Sequence, residues 1–144
     1  MPTAMPDLVR RQMATQATMN KYRKCVWDWK AGVTCIHMAR FHLRKMGHRP
    51  APMPRVRSLV GAMRALAERE CETVAQLLDT QPGLVRINPA QMLLGDLAVV
   101  PGTEGLGAVL ICAGPQKLIG WHEDAQGMEV LSVRLDHLLG AWRA

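Results

Sequence analysis

The pattern of apolar and polar positions divides the chain into a helical front and a strand-rich back. In the front, apolar residues recur every three or four positions, which places them on one face of a helix. From residue 93 onward, short apolar runs alternate with turns, as in the strands of a sheet. The pattern predicts an α+β fold with N-terminal helices packed on a small antiparallel sheet. A single domain is expected over residues 1–144, with its helices over about 1–80 and its strands over about 93–144.

Four helices are expected in the front half. Leu8, Val9 and Met13 form the apolar stripe of the first. Thr34 is a favoured N-cap for the second, and the proline-rich connector after it cannot be helical. The predicted helices cover about residues 6–23, 35–46, 59–67 and 71–78.

Turn dipeptides separate the apolar runs of the back half. Pro101-Gly102 and Gly114-Pro115 indicate hairpins between neighbouring strands. The final run has helical spacing and predicts a short closing helix over 135–142. The predicted strands are residues 97–100, 106–113, 117–122 and 128–133.

Charge is distributed unevenly along the chain. Residues 1–70 carry 14 Lys/Arg and 4 Asp/Glu, a net charge of +10, whereas residues 71–144 carry 4 and 8, a net charge of −4. A basic half can meet nucleic acid, an acidic membrane surface or an acidic protein. The N-terminus lacks the apolar core of a signal peptide, and no apolar run approaches the roughly 20 residues of a membrane span. We therefore expect synthesis in the cytoplasm and no membrane segment.

Cys35 is the candidate nucleophile. It lies at the predicted start of a helix, where unpaired amides and the helix dipole lower the pKa of a thiol. A nucleophilic cysteine also needs a base within hydrogen-bond reach. Buried free cysteine is the alternative interpretation of this residue. The four cysteines show no C-x-x-C spacing, so free thiols are expected.

Six short motifs follow one another along the chain. They are Trp27-Asp28-Trp29, Thr34-Cys35-Ile36, Met46-Gly47, Gly95-Asp96-Leu97-Ala98-Val99-Val100, Ala108-Val109-Leu110-Ile111-Cys112-Ala113-Gly114 and Ala141-Trp142-Arg143. In this order they resemble the NlpC-type family of papain-like cysteine hydrolases, and more closely a small branch of that family found in tailed phages and prophages. The resemblance runs from about Lys24 to Arg143, and it implies a papain-like fold with Cys35 at the nucleophile position.

The chain departs from the enzymes of that family at two positions. Thr34 precedes the cysteine where the enzymes have aspartate, and Ala108 stands where the resemblance places the catalytic histidine. A methyl group accepts no proton, so the base is missing. His122, on the next predicted strand, is the candidate substitute. The remaining histidines are less suited to the role: His37, His42, His48 and His137.

No cofactor or metal site is expected. No His/Cys/Asp/Glu cluster has ligand spacing, and Gly102, Gly105 and Gly107 precede no helix of the kind that completes a phosphate loop. The four tryptophans could line a ligand groove or fill the core.

The resemblance implies a structural component of a bacteriophage tail tip or tail assembly, carried in the virion and built on a degenerate hydrolase fold. Its partners would be other tail proteins of the tip, hub or baseplate. One alternative is an active cysteine peptidase that cuts peptidoglycan as the phage genome passes into the cell. Another is a basic nucleic-acid-binding or head–tail connector protein, which rests only on the charge of the front half.

A protein interface on the front half is also expected. Obligate interfaces have an apolar centre with arginine at the rim. The predicted centre comprises Met5, Met13, Met19 and Trp29, and the predicted outward basic residues are Arg10, Arg11, Arg23, Lys24, Arg40, Arg44 and Lys45.

Overall fold

Helices precede strands along the chain, as the sequence pattern predicts. The computed structural model describes residues 5–102, 104–121 and 127–144, and these ranges contain four α-helices. Each of the last three begins at a side-chain cap, from Thr34, Ser58 and Thr73 respectively. The helices are α1 (Asp7–Tyr22), α2 (Cys35–Lys45), α3 (Leu59–Glu68) and α4 (Val74–Thr80).

The described strands form one antiparallel sheet of six. Its spatial order is β1-β6-β2-β3-β4-β5, so the last strand in the chain lies between the first and the second. The four strands expected from the apolar runs are confirmed as β2 to β5, although residue 122 lies outside the described residues. The strands are β1 (Val85–Ile87), β2 (Leu97–Val100), β3 (Ala108–Gly114), β4 (Lys117–Gly120), β5 (Glu129–Ser132) and β6 (Gly140–Arg143).

The closing helix predicted over 135–142 is wrong. Only Leu135–His137 forms a single 3₁₀ turn, and the chain then enters β6. Trp142 and Ala141 are fully buried in this strand, which pairs with β1 on one side and β2 on the other. In β6 the chain forms two ladders of backbone hydrogen bonds and buries a tryptophan. The stability gained from these contacts outweighs the local preference for a helix that the spacing of apolar residues indicated.

Apolar side chains cover both faces of the sheet. The main core lies between one face and the helices, and it includes Met38 of α2, Leu97 and Val99 of β2 and Ile111 of β3. Residues of the opposite parity point to the other face, as the alternation of strand side chains requires. They form a smaller cluster made of Ala98, Leu110, Cys112 and Leu118.

A buried ion pair holds α1 against the sheet. Asp96, which is fully buried, accepts a hydrogen bond from Arg11 Nη1 at 2.7 Å. The backbone N–H groups of Leu93 and Ala144 donate to the same carboxylate at 2.8 and 3.0 Å. Burial alone would lower the pKa of Arg11, but hydrogen bonds from its guanidinium to Asp7 and Asp96 outweigh that effect and raise the pKa. The expectation that Arg11 belongs to an outward basic surface is therefore wrong.

We expect Asp96→Asn to lower the free energy of unfolding by about 3 kcal/mol or more, because it removes the buried anionic partner of Arg11 and leaves only the exposed Asp7. Asp136→Asn is the matched control, since Asp136 pairs with Arg134 at the exposed surface and should cost less than about 1 kcal/mol. Urea unfolding monitored by circular dichroism measures both. Equal losses in the two variants would contradict a dominant role for the buried pair.

Candidate functional site

Cys35 begins α2, as predicted. The preceding Thr34 is extended, and its hydroxyl oxygen accepts a hydrogen bond from the backbone N–H of His37 at 3.3 Å. This cap fixes the first turn and directs the Cys35 side chain inward, where only 3 % of the residue is exposed.

The N-terminus of α2 lies beside the beginning of β3. The backbone of Val109, the second residue of that strand, lies close enough to the Cys35 sulfur to lower the pKa of its thiol. Packing between α2 and β3 therefore brings together two segments that are more than 70 positions apart in sequence. The expected packing of N-terminal helices on the sheet is confirmed for α2.

Burial determines the protonation of this thiol. It raises the pKa of Cys35 to about 11, against smaller lowering effects from the backbone at Val109, Ile36 and Cys35 itself. The expectation that the helix terminus lowers this pKa is wrong, because desolvation outweighs the helix dipole. At neutral pH the sulfur is a protonated thiol, which is a poor nucleophile.

Ala108 occupies the end of β3 nearest the cysteine. It is the first residue of the strand, pairs with Val100 of β2 and directly precedes Val109. The position to which the resemblance assigns the base is thus next to the sulfur's backbone contact, and it carries a methyl group.

No described histidine supplies a base in its place. Within residues 5–102, 104–121 and 127–144, no hydrogen bond joins the Cys35 sulfur to a histidine ring. His37 instead lies with its Nδ1 at 2.7 Å from the Thr34 hydroxyl, and burial followed by the charge of Arg40 lowers its pKa. His122, the candidate substitute, lies outside the described residues.

His42 is a structural residue rather than a catalytic one. Its Nε2 donates to the carbonyl oxygen of Gly95 at 2.8 Å, and its Nδ1 lies 3.0 Å from the Thr18 hydroxyl. The fully buried ring therefore joins α1, α2 and the turn before β2. Burial lowers the pKa of His42 to about 4, so the ring is neutral at physiological pH. Its apolar helical neighbours are the only sequence signal for this role.

The tryptophans pack together. Trp27 makes edge-to-face contacts with Trp29 and Trp121, both at 5.5 Å between ring centroids. The indole N–H of Trp121 donates to the carbonyl oxygen of Cys25 at 2.8 Å, and Tyr22 packs on the same ring. This aromatic cluster fixes the connector between α1 and α2 and packs against the main core. Trp142 is fully buried within that core, so the core interpretation fits all four tryptophans.

The chain was compared with known protein families. A domain of unknown function, DUF6950, matches residues 8–144. The chain belongs to the DUF6950 family. No curated protein matches it.

Among the described residues of this DUF6950 domain, no metal site accompanies the cysteine. Across the described residues, no group of three or more His, Cys, Asp or Glu side chains is placed to hold a metal ion. Those residues also contain no helix that is long and apolar enough to cross a membrane.

The outer face of α1 carries exposed apolar side chains, with the polar Gln12 and Gln16 exposed among them. Leu8 and Met13 are 61 % and 57 % exposed, and Met5 and Val9 are exposed beside them. The inward face of the same helix is mostly polar and includes Arg11, Thr15 and Thr18. Of the predicted interface centre in this DUF6950 chain, Met5 and Met13 are thus exposed. The two remaining members are partly buried against the core, which corrects that part of the expectation: Met19 and Trp29.

The predicted basic surface is present in part. Four of its members are exposed, two are half-buried, and Arg11 is buried in the ion pair with Asp96. The exposed members are Arg23, Lys24, Arg44 and Lys45, and the half-buried members are Arg10 and Arg40.

We expect iodoacetamide to alkylate Cys35 at least about a hundredfold more slowly than the more accessible Cys25 at pH 8, because the buried thiol is protonated. Peptide mapping by mass spectrometry over a time course measures both rates in one sample. In urea the two rates should converge. A native Cys35 that reacts as fast as Cys25 would show that its sulfur is available as a nucleophile.

The free energy of unfolding should decrease in acid, because the buried His42 becomes protonated more readily in the unfolded chain than in the folded one. Its folded pKa of about 4 lies below the unfolded value of 6.5, so the unfolded state binds more protons between these values. The free energy of unfolding contributed by this residue is therefore complete above pH 6.5 and decreases by about 3 kcal/mol as the pH falls to 4.

Urea unfolding at several pH values, compared between the wild-type chain and His42→Gln, isolates this dependence. The wild type should lose more stability on acidification than the variant. His137→Gln, at an exposed histidine, should behave as the wild type does. Parallel curves for the wild type and His42→Gln would refute the assignment.

Proposed function

We propose that this chain is a structural component of a tailed-bacteriophage tail, used at the tail tip or in tail assembly, and that its papain-like hydrolase site has decayed. The papain-like fold, the virion location and the tail partners rest on the resemblance of the motifs given above. The observation that carries an assembly role is the inverted polarity of α1.

A helix on the surface of a monomeric protein normally turns its apolar face inward. In α1 the arrangement is reversed in part. Arg11 and Thr18 are buried beside the apolar Ala14, whereas Leu8 and Met13 project outward among exposed glutamines. Apolar side chains grouped on one exposed face are typical of a protein interface. We infer that a partner covers this face.

The chemistry at Cys35 supports a role without hydrolysis. Its thiol is buried, its pKa is raised to about 11, and Ala108 lies beside the strand residue that the sulfur contacts. An acyl-transfer nucleophile needs a thiolate and a neighbouring base. Retention of the fold without these two features favours a scaffold over a peptidase.

Charge indicates the kind of partner. The exposed basic residues Arg23 and Lys24 follow the C-terminal end of α1, whereas Arg10 at its start pairs with the exposed Asp7. Positive charge at the C-terminal end of this face fits an acidic protein surface, because opposite charges accelerate association and fix its orientation. Tail proteins with acidic faces are the partners that we propose.

The test is incorporation into particles. In the strain that produces the virus, epitope-tagged wild-type chain should co-purify with tails, and Leu8→Glu or Met13→Glu should reduce its amount at least about tenfold by desolvating a charge in an apolar interface. Val60→Glu is the matched control, since Val60 is an exposed helical residue on α3. It should assemble normally.

Three outcomes would overturn the proposal. The wild-type chain is absent from purified tails; or the Val60 and Met13 variants are lost to the same extent, which would indicate misfolding; or the pure chain cleaves a peptidoglycan fragment and loses that activity in Cys35→Ser. The last result would establish the peptidase alternative, and His122→Ala would then show whether His122 is the base.

A further inference from the structure

A small apolar cavity lies on the side of α2 that faces away from α1. Its volume is about 80 Å³, and α2, α3, α4 and the connector at 50–56 enclose it. Its inner wall consists of aliphatic side chains such as Ile36, Leu43, Leu66 and Leu77. A cavity lined mainly by apolar side chains admits apolar groups in preference to water. Its size suits one side chain and is too small for a long acyl chain.

Two arginines stand at the mouth of this cavity. Arg40 donates to the carbonyl oxygen of Ala51, and Arg69 donates to those of Pro52 at 2.9 Å and Ala65 at 3.1 Å. These bonds hold the proline-rich connector across the opening. Because a guanidinium has five N–H donors, each arginine retains donors for a further acceptor.

The mouth carries positive charge without a compensating carboxylate. No Asp or Glu lines the cavity, and within the described part of the chain neither Arg40 nor Arg69 forms an ion pair. Burial, followed by the neighbouring charges of Arg44 and Arg69, lowers the pKa of Arg40. Arginines that repel one another at a half-buried rim are stabilised by an anion, and carboxylates match their geometry best.

We propose that this cavity binds one apolar side chain of a partner polypeptide, while acidic residues on either side of that side chain pair with Arg40 and Arg69. The site lies away from the outer face of α1 and does not depend on whether the chain is carried in a tail. The cavity supplies the apolar contact, and the arginines supply the orientation.

The probe is the peptide Ac-Asp-Glu-Leu-Glu-Asp-NH₂, titrated into the full chain and followed by ¹H–¹⁵N NMR and calorimetry. We expect shifts centred on the lining residues Trp29, Ile36 and Val109. Replacing the central leucine of the peptide with serine should weaken binding at least about tenfold, because burial of the leucine side chain contributes most of the hydrophobic part of the binding free energy. Replacing its acidic residues with lysine should abolish binding.

Variants of the chain separate the two parts of the site. Arg40→Gln and Arg69→Gln should each weaken binding at least about fivefold. Arg40→Lys keeps the charge but loses the two-point geometry of the guanidinium, so it should weaken binding less than Arg40→Gln does. Ala65→Phe, which fills the cavity from its wall, should remove binding without altering urea stability by more than about 1.5 kcal/mol. Arg134→Gln is the control at a distant exposed arginine and should change nothing.

Four results would overturn the proposal. The leucine peptide produces no shifts at millimolar concentration; the serine peptide binds as well as the leucine peptide; Arg40→Gln and Arg69→Gln bind as the wild type does; or duplex DNA binds more tightly and displaces the peptide, which would make this a nucleic-acid surface. None of these results bears on incorporation into tails, so failure here is distinguishable from failure of the assembly proposal.

Discussion

The carboxylate of Asp96 lies fully buried at the start of β2, where it accepts hydrogen bonds from Arg11 of α1 and from the backbone at Leu93 and Ala144. Arg143 of β6 forms a longer ion pair with the other carboxylate oxygen, at 3.3 Å. A charge at such a depth is very unfavourable without full compensation, so the closer pair with Arg11 favours one position of α1. Arg11 also donates to the carbonyl oxygens of Leu94 and Ala144, which ties the helix to both ends of the strand-rich half.

The inverted polarity of α1 follows from this pair. Once Arg11 must point inward, residues one and two turns further along the same side are buried with it, and these are Thr15 and Thr18. The side of the helix that carries Val9 and Met13 is then left to solvent. The exposed apolar face and the buried ion pair are therefore two results of one orientation, and a partner on the outer face would complete the burial that α1 lacks.

Local patterns predicted the parts of this fold that depend on local chemistry. The Thr34 cap located the start of α2, and the apolar runs located β2 to β5. Local patterns did not predict the contacts between residues that are distant in sequence. Arg11 and Asp96 are separated by 85 positions, and β6 owes its strand conformation to partners on both sides rather than to its own spacing. The candidate site shows the same division. The place of Cys35 beside β3 followed from the sequence, whereas the pKa of its thiol depends on a depth of burial that only the packed structure reveals.

The place of β6 within the sheet affects how the protein can be made. β1 and β2 are synthesised early among the strands, yet they do not pair with one another, because β6 lies between them. Until residues 140–143 leave the ribosome, both strands keep an open edge with unpaired backbone groups, and such edges readily pair with other chains. The sheet is therefore complete only after β6 has been synthesised. A nascent chain that stalls shortly before β6 exposes the unpaired edges of β1 and β2 at the same time, and both edges can pair with other chains.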